Sequence, residues 1–236
     1  MKLYNLTGAT TQILEIDQNS QGILFSAINK TAKIKVDQVG NNIADSNRIP
    51  EMLVSSLAEI MAVVSDGSYQ IRESTTELIN FKLLFSTRGI LPLNEDSKYR
   101  VTITLLDDSA SYDVFNLDHA NQVSRGLIIS KAEVRSTFSE KVVNTTGVSL
   151  LYFPNVSPLK VSYFNRTNNR KVDYSIEQIN ASSLKLVTQT GSLPASAYLG
   201  QSKPSLKVGG ISELTVHHDT ALEQDLIYYM VSTLVG

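Results

Sequence analysis

The sequence contains no cysteine and little net charge of either sign. The lack of cysteine excludes disulfides, thiolate metal sites and cysteine nucleophiles, so stability has to come from packing or association. Lysine and arginine number 21 against 23 acidic residues, which gives a formal charge of −2. Such a chain has no general field for attracting phosphates, so specific nucleic-acid binding is not predicted.

Long apolar runs are also missing. The first residues, MKLYNLTGATTQILEI, lack the continuous apolar stretch of a secretory signal, so we expect no export signal there. The most apolar segment, LIYYMVSTLVG at 226–236, is shorter than the ~20 residues that a transmembrane helix needs. It is predicted to be a buried last strand.

The chain repeats itself at a distance of about half its length. The stretch GILFSAINKTAKIKV at 22–36 is similar to GVSLLYFPNVSPLKV at 147–161. A gapless alignment of Gly22 with Gly147 places Lys35 on Lys160 and Val36 on Val161. A period this long indicates a duplicated domain rather than a solenoid.

The same elements follow in both halves. Each repeat runs into a turn cluster, GNN at 40–42 and TNN at 167–169, and then into a segment with helical features. PEMLVSSLAEI is predicted to begin a helix at Pro50, with Leu53, Leu57 and Ile60 on one face. SIEQINASSL is predicted to begin at Ser175, where Gln178 completes a capping box. Extended runs at 99–108 and 211–219 then each close on aspartate.

Apart from these two helices, β-branched and aromatic runs separated by turns dominate. About 115 residues per half is the size of a minimal jelly roll of roughly eight short strands. The sequence therefore predicts an all-β protein of two tandem eight-stranded antiparallel jelly-roll β-barrels, each with a short helix. We place the N-terminal barrel at 1–124 and the C-terminal one at 125–236, since the polar stretch HANQVSRG separates the halves.

Catalytic patterns are not evident. No GxSxG elbow and no glycine-rich phosphate loop occurs, and Gly209 and Gly210 are predicted to form a turn before a strand. Of the three histidines, His217 and His218 are neighbours in a predicted strand and so face opposite sides, which prevents both from binding one metal. His119 stands apart from them. We predict no catalytic residues and no cofactor-binding residues.

Two clusters of charged residues remain as candidates. Asp107, Asp108 and Asp113, with Asp118 nearby, are candidate oxygen ligands for calcium, and a solvated turn is the alternative interpretation. Arg166, Arg170 and Lys171 flank the TNN turn, where they are expected to form a surface loop or an intersubunit salt bridge. Calcium is thus the one candidate cofactor.

The duplicated barrel with little beyond it resembles the double jelly-roll major capsid proteins of tailless viruses with an internal membrane, and in particular those of corticovirus-like bacteriophages. GILFSAINKTAKIKV with PEMLVSSLAEI, and GVSLLYFPNVSPLKV with SIEQINASSL, carry the resemblance. It is one of architecture and element order over most of the chain, since no single motif is diagnostic.

The resemblance implies a structural protein and no enzyme. Three copies of two barrels would form a pseudo-hexagonal block that tiles an icosahedral shell. The partners would be other copies of the chain, neighbouring trimers, and minor capsid or membrane proteins under the shell. The protein would be made in the host cytoplasm and located in the virion capsid.

Two alternatives belong to other classes of protein. A carbohydrate-binding or adhesive module could use tandem β-sandwiches, although the chain has no tryptophan to serve as a sugar platform. A β-sandwich hydrolase would require acidic residues that converge in one cleft.

Overall fold

The structure is a computed structural model that describes residues 2–6, 10–16, 20–40, 43–64, 72–73, 77–85, 97–106, 112–117, 126–181 and 203–234. The chain divides into two compact units, the first built mainly on Met1–Ile128 and the second mainly on Ile129–Thr188 and Gln201–Thr233. The barrel boundary at 124/125 stays a prediction, because 118–125 lie outside the described residues.

In the part of the first unit that the structure describes, there are two antiparallel sheets and one helix. Its strands are β1 (Lys2–Leu6), β2 (Thr11–Ile16), β3 (Gly22–Asn29), β4 (Lys33–Gly40), β5 (Ile43–Leu53), β6 (Arg72–Glu73), β7 (Leu78–Leu84), β8 (Ser97–Thr104) and β9 (Tyr112–Leu117), with helix α1 (Val54–Val64) after β5. The five-stranded sheet has the order β1-β9-β3-β7-β6, and the four-stranded sheet has the order β2-β8-β4-β5.

The second unit repeats this plan. Its strands are β10 (Gly126–Val134), β11 (Glu140–Asn144), β12 (Val148–Tyr152), β13 (Lys160–Asn165), β14 (Arg170–Ser175), β15 (Ser205–Lys207), β16 (Glu213–His217) and β17 (Leu226–Leu234). Helix α2 (176–181) follows β14, and a 3₁₀ turn (Thr220–Leu222) precedes β17. The sheets have the orders β10-β17-β12-β15 and β11-β16-β13-β14.

The strand order identifies the fold. When the short edge strand β6 is set aside and the strands of each unit are counted from one to eight, both units have the sheet orders 1-8-3-6 and 2-7-4-5. This is the arrangement of a jelly roll, in which two Greek keys form two facing sheets. The predicted fold class, two tandem eight-stranded antiparallel jelly rolls that each carry a short helix, is therefore confirmed.

The sequence repeat aligns strands that are equivalent in the structure. Val36 of β4 pairs with Val101 of β8, and Val161 of β13 pairs with Val216 of β16. All four valine side chains are completely buried. The gapless alignment of the two halves therefore places β4 on β13, which is the equivalent member of the central strand pair in each unit.

The aligned glycines Gly22 and Gly147 have different structural roles. A Cβ on Gly22 would lie 2.0 Å from the carbonyl oxygen of Leu83 on the neighbouring β7, so this close strand approach requires glycine. Gly147 has open space around it but a φ of +78°, which favours glycine for conformational reasons. The shared residue type thus has two unrelated physical causes.

The start of the first helix was predicted wrongly. Pro50 and Leu53 belong to β5, and α1 begins only at Val54. Proline is accommodated because β5 is an edge strand and Pro50 lies where its register with β4 shifts. Helix formation starts where the backbone N–H groups of Val54 and Ser55 donate to the turn carbonyls of Ala32 and Lys30. Leu57 and Ile60 are buried as predicted, whereas Leu53 is exposed.

The second helix and its turn agree with prediction. The backbone N–H of Ser175 donates to Gln178 Oε1 at 2.9 Å, and the N–H of Gln178 donates to Ser175 Oγ at 3.4 Å, which forms the capping box. In the TNN turn, Asn169 has a φ of +54°. Gly209 and Gly210 form the turn before β16, and β17 is a buried strand. The run LKLV at 184–187, which has the composition of a strand, lies outside the described residues.

The two sheets of the second unit differ in burial. Leu151 and Tyr228 face the core of the unit, and Leu150 and Tyr229, on the opposite side of the same sheet, are also buried. The sheet β11-β16-β13-β14 has a buried inner face and an outer face with exposed side chains. Among the described residues, no helix has both the length and the hydropathy to span a membrane.

We predict that Gly22→Ala destabilises the protein by about 2 kcal/mol or more, because the added methyl group meets the backbone of β7. Gly209→Ala is the matched control, since nothing lies within 4 Å of its Cβ position and its φ is ordinary, and we expect a change below about 0.5 kcal/mol. Urea denaturation measures both. Equal effects of the two substitutions would contradict the close approach at Gly22.

Candidate interaction surface

The outer face of the sheet β11-β16-β13-β14, here called the outer sheet face, presents alternate residues of four strands. Across its middle, Val142 pairs with Thr215, Thr215 with Ser162, and Ser162 with Asp173. The next row places His217 between Glu140 and Lys160. Because strand residues alternate, these polar side chains share one side of the sheet while Val161 and Val216 face the core.

A chain of hydrogen bonds crosses this face and is centred on His217. Its Nδ1 lies 3.2 Å from a carboxylate oxygen of Glu140, and its Nε2 lies 3.0 Å from Ser162 Oγ. The Ser162 hydroxyl can donate instead to the Asp173 carboxylate. Lys160 and Lys171 approach Asp173 at 3.8 and 4.0 Å.

The charges of this network shift two pKa values. The hydroxyl of Ser162, followed by Lys160 and Lys171, holds the pKa of Asp173 below its ordinary value. Burial and then the charge of Lys160 lower the pKa of His217, and the carboxylate of Glu140 opposes them. His217 is therefore neutral at a pH where an ordinary histidine would be partly charged.

Glu140, His217 and Ser162 have the order of an acid, a base and a nucleophile, but the geometry does not favour catalysis. The one hydroxyl proton of Ser162 can go to His217 or to Asp173, so the carboxylate competes with the base. Ser162 also lies on β13, a central strand with paired neighbours on both sides. The backbone of Ser162 pairs with Asp173 on one side and with Thr215 on the other, so it is engaged in the sheet rather than in an oxyanion hole.

A groove on the outer sheet face lies beside Phe164, where β13 and β14 meet the turn before β16. Its volume is about 290 Å³, and its lining includes Ser162, Tyr163 and Leu214. We call this groove the Phe164 groove. Its other lining residues, called its rim, are Phe164, Arg166, Lys171, Ser212, Glu213 and Thr215. Phe164 is 57% exposed.

The predicted site residues are placed as follows. His218 is buried just after β16, where Nε2 donates to the carbonyl of Gln224 at 2.8 Å, while His217 lies on the outer sheet face. The two histidines thus point to opposite sides. Asp113 lies on β9 and pairs with Asn5 and Ser26, whereas Asp107, Asp108, Asp118 and His119 lie outside the described residues. Within the described part of the chain, no three acidic or histidine side chains form a metal-binding group.

Arg166 is exposed in the TNN turn, as the surface-loop interpretation requires, whereas Arg170 and Lys171 are exposed on strand β14. Sequence reasoning missed the Phe164 groove and the Glu140–His217–Ser162 contacts, because both depend on the register between strands that are distant in sequence. The one available signal was alternation: Lys160, Ser162 and Phe164 are two residues apart in a predicted strand.

The first unit carries charged pairs on the corresponding face of its sheet β2-β8-β4-β5. Arg100 and Lys98 contact the carboxylate of Glu15 at 3.0 and 3.5 Å and hold its pKa below the ordinary value. Ile13 on the same strand is 60% exposed, and Val142 on β11 of the second unit is 58% exposed. Both strands lie at the edge of their sheets.

The chain is similar to two solved structures of viral coat proteins. The STIV major capsid protein matches with a TM-score of 0.53 and 10% identity over 99% of this chain and 95% of that chain. The major capsid protein P2 of bacteriophage PM2 matches with a TM-score of 0.53 and 8% identity over the same shares of the two chains. No protein-family model and no curated protein matches the sequence. The chain therefore has a fold found in viral major capsid proteins.

We predict that the network around His217 makes stability depend on pH. Because the folded-state pKa of His217 is lowered, the unfolded chain binds its proton more readily, and stability is lost as pH falls from about 6.5 through the folded value. Urea denaturation of the wild type and of His217→Gln at pH 7.5 and 5.0 tests this, since the variant keeps His119 and His218. We expect the variant to lose less stability on acidification, and an equal loss in both proteins would contradict the prediction.

Proposed function

We propose that this protein is a major capsid protein that forms homotrimers with a pseudo-hexagonal outline, which tile an icosahedral virion shell. The observation that carries the proposal is the whole-chain likeness to two major capsid proteins, which includes both jelly rolls. A chain with two barrels of the same strand order gives a trimer six similar walls, so one block can make related contacts in six directions.

The edge strands β2 and β11 support self-association. Natural sheets usually protect their edges with charge, proline or a covering element. Besides its charged residues, each of these strands, which end their sheets among the described residues, exposes a β-branched aliphatic side chain, Ile13 and Val142. We propose that neighbouring copies cover these side chains. A bacteriophage origin and synthesis in the host cytoplasm belong to the same proposal.

A direct test of the function is the solution mass of the purified protein by light scattering. We expect a particle of three times the 26.0 kDa chain mass, or larger closed assemblies, at micromolar concentration. A monomer at all concentrations, with and without calcium, would contradict the proposal.

We predict that Ile13→Lys weakens assembly by roughly tenfold or more, because it removes a buried aliphatic contact and buries a charge. Thr11→Lys is the matched control, since Thr11 is exposed on the same strand and face and the substitution adds the same charge. Sedimentation velocity over a dilution series measures both. If Thr11→Lys weakened assembly as much as Ile13→Lys, general charge repulsion would explain the loss and the edge contact would be wrong.

A further inference from the structure

We propose that the Phe164 groove binds an acidic sugar, that is, a pyranose that carries a carboxylate. This function goes beyond the proposed capsid role, and the site lies entirely within the second unit. The argument depends on the size of the groove, its charges, its exposed aromatic ring and its hydroxyl groups.

The size of the groove selects a small ligand. Ligand pockets range from ~300 to 1,000 Å³, and the groove, at about 290 Å³, is at the lower limit. It is open on one side, as expected of a site that holds one residue of a longer chain. Phe164 and Lys171 pair across β13 and β14, and the β13–β16 ladder ends at Ser162 and Thr215 beside the groove, so these lining residues are held on strands.

The charged side chains of the rim favour a negatively charged ligand. Arg166 and Lys171 stand against one carboxylate, Glu213. Within the described part of the chain, Arg166 forms no ion pair, whereas Lys171 is paired with Asp173 at 4.0 Å, so Arg166 is the cation left for a ligand. An exposed guanidinium without a partner is suited to a carboxylate, which it can bind through two parallel hydrogen bonds.

The other side chains of the rim favour a sugar ligand rather than a small inorganic anion. The exposed ring of Phe164 offers an apolar face on which the C–H groups of a pyranose can lie. Ser212 and Thr215 carry hydroxyls that can donate to or accept from sugar hydroxyls, and the carboxylate of Glu213 can accept from them. A small inorganic anion would use the cations and leave the ring without a partner.

The opposite end of the unit supplies a natural control. Phe138 is exposed to 58%, nearly the same as Phe164, and it lies in the loop that also contains Arg135. This loop is tied to Asp225, whose carboxylate accepts from the backbone N–H of Ser136 at 2.7 Å. An aromatic ring and an arginine are therefore present at both ends, but at the Phe138 end they lie beside an acidic loop that contains Asp219, Glu223 and Asp225.

Titration calorimetry with a trimer of galacturonic acid, and with the neutral galactose trimer as comparison ligand, tests the proposal. We expect saturable one-to-one binding of the acidic trimer per chain and at least about tenfold weaker binding of the neutral one. Phe164→Ala and Arg166→Gln are each expected to weaken binding roughly tenfold. Phe138→Ala and Arg135→Gln should leave it unchanged.

Several outcomes would overturn the proposal. No binding of the acidic trimer to the wild type, or equal binding of the neutral trimer, would exclude an acidic-sugar site. Equal losses in the Phe138 and Phe164 variants would show that the groove has no special role. If sulfate at matched ionic strength displaced the trimer and Phe164→Ala had no effect, the groove would be a simple anion site. All four side chains are exposed, and circular dichroism melting curves confirm that each variant is folded.

This test is independent of assembly. If the protein binds the galacturonic acid trimer but stays a monomer, the groove proposal is supported and the capsid proposal is contradicted. If the protein forms homotrimers but does not bind the sugar, the capsid proposal is supported and the groove proposal is contradicted. If both proposals hold, the many copies in a shell would raise the avidity for a surface that carries acidic sugars.

Discussion

The fold depends on one strand pair in each unit, β4 with β8 and β13 with β16. At the centre of each pair a completely buried valine faces another across the ladder, Val36 with Val101 and Val161 with Val216. The antiparallel register at these valines decides which side chains point into the barrel and which point out, because a shift of one residue would exchange the two faces. The register of this strand pair therefore determines which side chains form the outer surface of each jelly roll.

The outer surface of the second unit follows from that register. With Val161 and Val216 inside, Ser162 and His217 come together on the outer face, where Glu140 and Asp173 complete a chain of hydrogen bonds. Phe164, two residues beyond Ser162, lies on the same face and forms one side of the groove. The same strand register thus places both the hydrogen-bonded network and the groove on the outer sheet face, where they lie next to each other.

Much of this architecture could be predicted from the sequence, and the exceptions have physical causes. The repeat located the central strands, and the Ser175–Gln178 capping box located α2. The sequence pattern placed Pro50 in a helix because proline favours first helical positions, but an edge strand also tolerates proline at a register shift. Strand β14, RKVDYS, escaped prediction because an edge strand with one exposed face needs few apolar residues. The groove required contacts between β13 and β16, which are set by tertiary pairing.

The central proposal is that three chains, each with two similar jelly rolls, assemble into a block with six similar walls. Electron microscopy of the purified assembly tests this most directly, because class averages display the number and spacing of the barrels. The account predicts a closed block with six similar lobes, in which three-fold symmetry is exact and six-fold symmetry approximate. Dimers, open filaments or rings with another number of lobes would contradict it.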